Sequence, residues 1–117
     1  MTLEEINAVT LLVADMRRAF EFYTELGFSL AYGGPEARFT SFRVGGQFLN
    51  LDLSDDFEGA QGWGRTIFHV SDVDAIYHRA IDAGLAPEMP PSDASWGERY
   101  FHILDPDSHE LSFARRL

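Results

Sequence analysis

Apolar residues change period several times along this chain, and the changes mark its elements. Ala8 to Val13 alternates, with Val9, Leu11 and Val13 on one face, as a half-buried strand does. From Met16 to Leu26 the period lengthens, and Met16, Ala19, Phe20, Tyr23 and Leu26 recur at helical spacing. Phe28 to Tyr32 predicts a second strand, ended by Gly33-Gly34-Pro35. Arg38 to Val44 and Phe48 to Leu53 flank Gly45-Gly46, the signature of a tight hairpin. Ser54 to Gly64 is acidic, glycine-rich and aperiodic, and reads as a linker.

The pattern then restarts. Arg65 to Val70 predicts a strand, and Val73 to Ala83 a helix with Val73, Ile76, Tyr77 and Ala80 on its inner face. A short strand is expected near Leu85 to Met89. Pro90 to Ser95 reads as a loop, because proline cannot donate to a strand ladder. Tyr100 to Leu104 and Glu110 to Ala114 form a last hairpin around Asp105-Pro106-Asp107-Ser108. Residues 1–6 read as a polar lead-in.

Both halves follow one plan. Val13-Ala14-Asp15 leads into the first helix and Leu26-Gly27-Phe28 out of it; Val70-Ser71-Asp72 and Ala83-Gly84-Leu85 do the same for the second. In each copy the aspartate suits the helix N-cap, and the glycine lies just past the last turn, where positive φ costs it little. The second copy carries about five extra residues, best placed in the Pro90–Gly97 loop. The fold expected is α+β: one domain of two strand–helix–three-strand modules, residues 7–54 and 65–117, joined by a linker over 55–64.

Composition narrows the chemistry. Hydrophobic content of 45% and aromatic content of 14% in 117 residues describe a packed domain. No cysteine is present, which removes disulfides, thiolate metal sites and thiol nucleophiles. All nine basic residues are arginine, so Schiff-base chemistry is closed. A net charge of −10 opposes nucleic-acid binding and either favours a cationic ligand or simply serves solubility. Neither a charged-then-apolar leader nor an apolar run of about 18 residues is seen, so the expectation is a cytoplasmic chain without a membrane partner.

The repeated plan, with Trp96-Gly97-Glu98-Arg99-Tyr100-Phe101 leading to the stretch from Asp105-Pro106-Asp107 to Phe113, resembles the vicinal-oxygen-chelate superfamily. Phe22-Tyr23 and Leu26-Gly27-Phe28 share in the resemblance, which covers nearly the whole chain. That superfamily includes glyoxalase I, extradiol dioxygenases, fosfomycin-resistance transferases and bleomycin-resistance proteins. The resemblance implies two curled mixed sheets paired into an open ligand-binding cup.

Strand alternation assigns the cup face. Ala8, Thr10 and Leu12 fall on it, with Phe48, Asn50 and Asp52, then Arg65, Ile67 and His69, then Glu110, Ser112 and Ala114. By the resemblance, metal-dependent members would carry their His or Glu ligands at the positions of Ala8, Asn50, Arg65 and Ser112. None of these is a customary ligand for Zn²⁺, Ni²⁺ or Fe²⁺. The chain therefore looks like the metal-free bleomycin-resistance branch, whose members bind drugs unaltered and work as dimers. No metal and no cofactor is expected.

The expected ligand contacts are Leu12, Phe48, Asn50, Asp52, Trp63, Arg65, His69, Trp96, Tyr100, His102, Glu110 and Ser112. His69 and His102 either touch ligand or serve structure, and Trp63 and Trp96 suit either a planar or cationic ligand or a dimer contact. His109 reads as structural, and His78, in the second helix, as solvated. The function expected is metal-independent binding of a cationic or planar aromatic compound by a homodimer. The alternative is an enzyme of the same fold using an acid–base pair such as Asp52 with Glu110, or a non-standard metal on His69, His102 and one of those carboxylates.

Overall fold

Asp15 and Asp72 open the two helices in the same way. Each is extended, and its carboxylate accepts from the backbone N–H three residues on, of Arg18 and of Ala75. The helices are α1 (Met16–Glu25) and α2 (Val73–Asp82), and Gly27 and Gly84 follow them at φ of +100° and +78°. These come from a computed structural model that describes residues 2–117.

Eight strands accompany the helices among the described residues. The first module holds β1 (Ala8–Val13), β2 (Ser29–Tyr32), β3 (Phe39–Val44) and β4 (Gln47–Leu53). The second holds β5 (Arg65–His69), β6 (Ser92–Asp93), β7 (Glu98–Leu104) and β8 (Glu110–Arg116). Each module is one four-stranded mixed sheet, ordered β1-β4-β3-β2 and β5-β8-β7-β6, with its first and last strands parallel. This is the α+β architecture of two modules, and the hairpins turn where Gly45-Gly46 and Asp105–Ser108 predict.

One element differs from expectation. Residues 85–89 form no strand, and the fourth strand of the second sheet is the two-residue β6, inside the segment expected to be loop. Pro87, Pro90 and Pro91 remove three donors there. What pairing survives is one bond from the Glu88 N–H to the His102 carbonyl at 2.9 Å, followed by the Ser92–Asp93 bridge to β7.

The expected faces hold. Leu11, Val13, Leu49, Leu51, Phe68, Phe101, Ile103, Leu111 and Phe113 are buried on the helix side, with Tyr23 and Phe42, in one core drawn from both modules. Phe28 joins the halves, its ring edge-on to Phe68 with centroids 5.1 Å apart. On the opposite face Ser112 and Ala114 are also buried. They are short, and the larger His102 and Tyr100 stand beside them on β7, with Ile67 and His69 on β5.

Candidate ligand-binding site

The free edges of β1 and β5 face a cavity of about 560 Å³, within the range of small-molecule sites. Ala8, Val9, Phe48 and Leu49 wall it from the first module, and Thr66, Ile67 and Phe68 from the second. Trp63 closes one side. Arg65 is its single ionisable lining residue among the described residues.

Arg65 is not free to act alone. It stands opposite Glu110 in the parallel β5–β8 ladder, and its Nε lies 2.6 Å from a Glu110 carboxylate oxygen. Glu88 lies against that pair. Glu88 is exposed at the surface, yet partial desolvation of its carboxyl, followed by repulsion from Glu110 and a hydrogen bond to it, raises that carboxyl above its ordinary range. The carboxylate that neighbours Glu110 is therefore Glu88. The expected pairing with Asp52 does not form, because Asp52 sits on β4 of the other module between Leu12 and Phe39. Only the chain's passage beside β7 brings Glu88 in, and no local pattern announces it.

Trp63 is held by the most buried histidine, His109. The indole N–H donates to His109 Nδ1 at 3.0 Å, and His109 Nε2 lies 2.7 Å from the Leu12 carbonyl. An indole can only donate, so Nδ1 is the acceptor and Nε2 carries the proton that Leu12 receives. Phe57 stacks on the imidazole at 5.6 Å, with ring planes 7° apart. The linker is thus pinned to the second module and to the edge of β1.

Elsewhere on the second sheet, Glu98 accepts from Trp96 Nε1 at 3.0 Å and pairs with His69 Nε2 at 3.1 Å. Trp96, Tyr100 and His102 form a ladder of rings, with centroids 5.4 and 5.0 Å apart. His102 Nδ1 is buried and without a partner. On the first sheet Asn50 donates to the Thr10 hydroxyl at 3.2 Å, and Leu12 stays exposed.

The expected contacts therefore divide. Phe48, Trp63 and Arg65 line the cavity; Leu12, Asn50, Asp52, Trp96, Tyr100, His102, Glu110 and Ser112 do not. His69 lines an adjoining cleft with Glu98, and that cleft shares Val44, Gln47, Ile67 and Phe68 with the cavity. The remaining lining residues lie outside the expected contacts: Ala8 and Ile67 are on the cup face, whereas Val9, Leu49, Thr66 and Phe68 belong to the helix-side face and reach the cavity because it opens at the strand edges.

The metal positions do not fit a divalent cation. They present a methyl, a carboxamide, a guanidinium bound to Glu110, and a hydroxyl, where imidazole or carboxylate is needed. Among the described residues no three His, Asp or Glu side chains are placed to hold a metal, so the His69–His102 site is not formed. No helix among the described residues is long and apolar enough to cross a membrane.

Residues 5–113 match the family model of the Glyoxalase/Bleomycin resistance protein/Dioxygenase superfamily. Uncharacterized proteins of Mycobacterium bovis and Mycobacterium tuberculosis are 29% identical over 120 residues, covering 90% of this chain and 79% and 71% of theirs. TioX from Micromonospora sp. ML1 superimposes with a TM-score of 0.77 at 26% identity, covering 97% of this chain and 100% of that one. Lactoylglutathione lyase from Agrobacterium tumefaciens gives 0.74 at 18% identity, covering 98% and 96%, a likeness of fold.

Proposed function

The chain belongs to the Glyoxalase/Bleomycin resistance protein/Dioxygenase superfamily, and we propose that it is a metal-independent binding protein for a planar, largely apolar small molecule. The observation that carries this reading is the cavity between the modules, walled by aliphatic side chains and the rings of Phe48 and Trp63. The donor set at the family's metal positions supports metal independence, since the Arg65 guanidinium, which only donates and is already paired with Glu110, offers a metal no lone pair.

Calorimetric titration with 2-naphthalenemethanol, 2-naphthylmethylammonium and 2-naphthoate tests it. At least one should bind, and Trp63→Ala should weaken it by about three- to tenfold, as loss of an aromatic contact does. Absence of binding by all three, or binding indifferent to Trp63, would reject the reading. Elemental analysis of protein purified without chelator should find no stoichiometric transition metal.

The homodimer belongs to the same proposal. The lone chain exposes 7052 Å², against about 6,400 Å² for a monomer of its mass. Leu12 and Ile67, both on the cup face, contribute to that exposure. Sedimentation should give a dimer mass at micromolar concentration; a single monomer mass would reject it.

A second reading, an acid–base enzyme on this fold, has Glu88 beside Glu110 in its favour. Glu88→Gln should then abolish turnover while leaving naphthyl-compound binding in place.

A further inference from the structure

Trp63 is one aromatic wall of the cavity, with Phe48 and Phe68, yet it lies in the linker, outside both sheets. Its pose depends on one hydrogen bond from a half-exposed indole to a residue that is itself 4% exposed. We infer that His109 is a proton-sensitive positioning residue for Trp63: neutral, it holds the indole as the cavity's wall, and protonated, it releases it. This rests on the reading that the cavity holds the ligand.

The chemistry follows from the donor count. Neutral His109 offers one acceptor, at Nδ1, and Trp63 uses it. A second ring proton would add at Nδ1, leaving two N–H groups facing each other across 3.0 Å. That contact turns from attractive to repulsive. The bond to the Leu12 carbonyl survives, because Nε2 keeps its proton. The imidazole therefore stays seated on β1 and stacked on Phe57, and Trp63 is the partner that leaves.

The surrounding charges do not forbid the event. Asp105 and Asp107 lie on the same turn, and Asp105 accepts from the His109 backbone N–H at 2.9 Å. Arg18 of α1 is already paired with Asp107 at 3.4 Å. β1 presents a backbone carbonyl, and Phe57 and Trp63 bring no charge. The test therefore spans the range in which histidine, as a residue type, changes charge.

Fluorescence of the Trp96→Phe protein tests this, since Trp63 is then the sole tryptophan. Across about pH 5–8, the window of histidine titration, its emission should undergo one sigmoidal red shift as pH falls. His109→Asn keeps an acceptor near the Nδ1 position but does not titrate, so its emission should stay at the neutral-pH value throughout. Binding of 2-naphthalenemethanol, which does not titrate, should weaken by about three- to tenfold along the same curve. That pH dependence should vanish in Trp63→Phe, a variant that keeps a ring without the indole donor and leaves His109 untouched.

A flat emission profile in the Trp96→Phe protein, or the same step in His109→Asn, would overturn the inference. So would an emission step with naphthalenemethanol affinity unchanged across it. If the compound binds at no pH while the step is present and absent in His109→Asn, the cavity reading fails and the His109–Trp63 coupling stands.

Discussion

Tyr23 of α1 donates its hydroxyl to Asp105 of the β7–β8 turn across 2.6 Å, and neither group reaches solvent. This is a bond between modules. Its neighbours work the same way: Asp107 accepts from the Ala14 N–H at 3.0 Å, and His109 reaches the Leu12 carbonyl. Asp105 also accepts from the backbone N–H groups of Asp107 and His109, which shapes the turn that carries all three side chains.

Removing that hydroxyl tests the clamp. Tyr23→Phe should destabilise the chain by about 1–3 kcal/mol, because it strands a buried carboxylate oxygen. Burial first, and then the nearby Asp105 charge, push the Tyr23 hydroxyl well above its ordinary titration range. The folded state therefore holds a proton that the unfolded chain gives up near the ordinary value of about 10. Stability from this group is intact below that value and is lost as pH rises beyond it. Denaturant midpoints measured from pH 8 upward should fall more steeply in the native protein than in Tyr23→Phe.

The caps of the two helices should matter alike. Asp15→Ala and Asp72→Ala should each cost about 0.5–2 kcal/mol, since each strands a first-turn amide. An unchanged urea midpoint in either variant would show that its cap bond contributes nothing in solution.

These caps, the glycines after the helices and both hairpin turns are local chemistry, which is why the repeated plan is legible in the chain. Alternation likewise put Arg65 and Ile67 on the face where they line the cavity. What local pattern does not carry is contact between distant segments. Glu88 meets Glu110 only through the course of the chain beside β7, and Trp63 meets His109 only because the linker folds back on the second sheet. Asp52 and Glu110 illustrate the same limit: alternation puts both on cup faces, but they lie on the sheets of different modules. Prolines at 87, 90 and 91 explain the missing strand, although the sequence marks them plainly.

Glu88 gives a prediction of the opposite kind from a stabilising pair. Its carboxyl is raised, chiefly by partial desolvation and then by Glu110, so folding favours the protonated form. That stability is full below the ordinary carboxyl range and declines as pH rises through the raised value. Glu88→Gln stays uncharged and keeps a hydrogen-bonding head. Between pH 4 and pH 7 it should lose less stability than the native protein, as read from thermal midpoints. An identical decline in both would show that Glu88 titrates as a free side chain.

On the proposed function, the same group of residues bears on ligand charge. Among the described residues Arg65 is the one ionisable wall of the cavity, but Glu110 meets its charge at 2.6 Å and Glu88 adds a second carboxyl. The wall is therefore not a net cationic anchor, and the chain as a whole carries −10. Both facts place 2-naphthylmethylammonium ahead of 2-naphthalenemethanol, and 2-naphthoate last. The local and the long-range contributions separate by salt, because exposed charges are screened beyond about 8–10 Å near physiological ionic strength. Raising salt should narrow the lead of the ammonium compound without erasing it, and should leave the neutral alcohol's affinity unchanged. Glu110→Gln frees Arg65 from its partner and should move the carboxylate up the order. Tightest binding of 2-naphthoate by the native protein would mean that Arg65 prefers a ligand anion to Glu110, and would end the expectation of a cationic ligand.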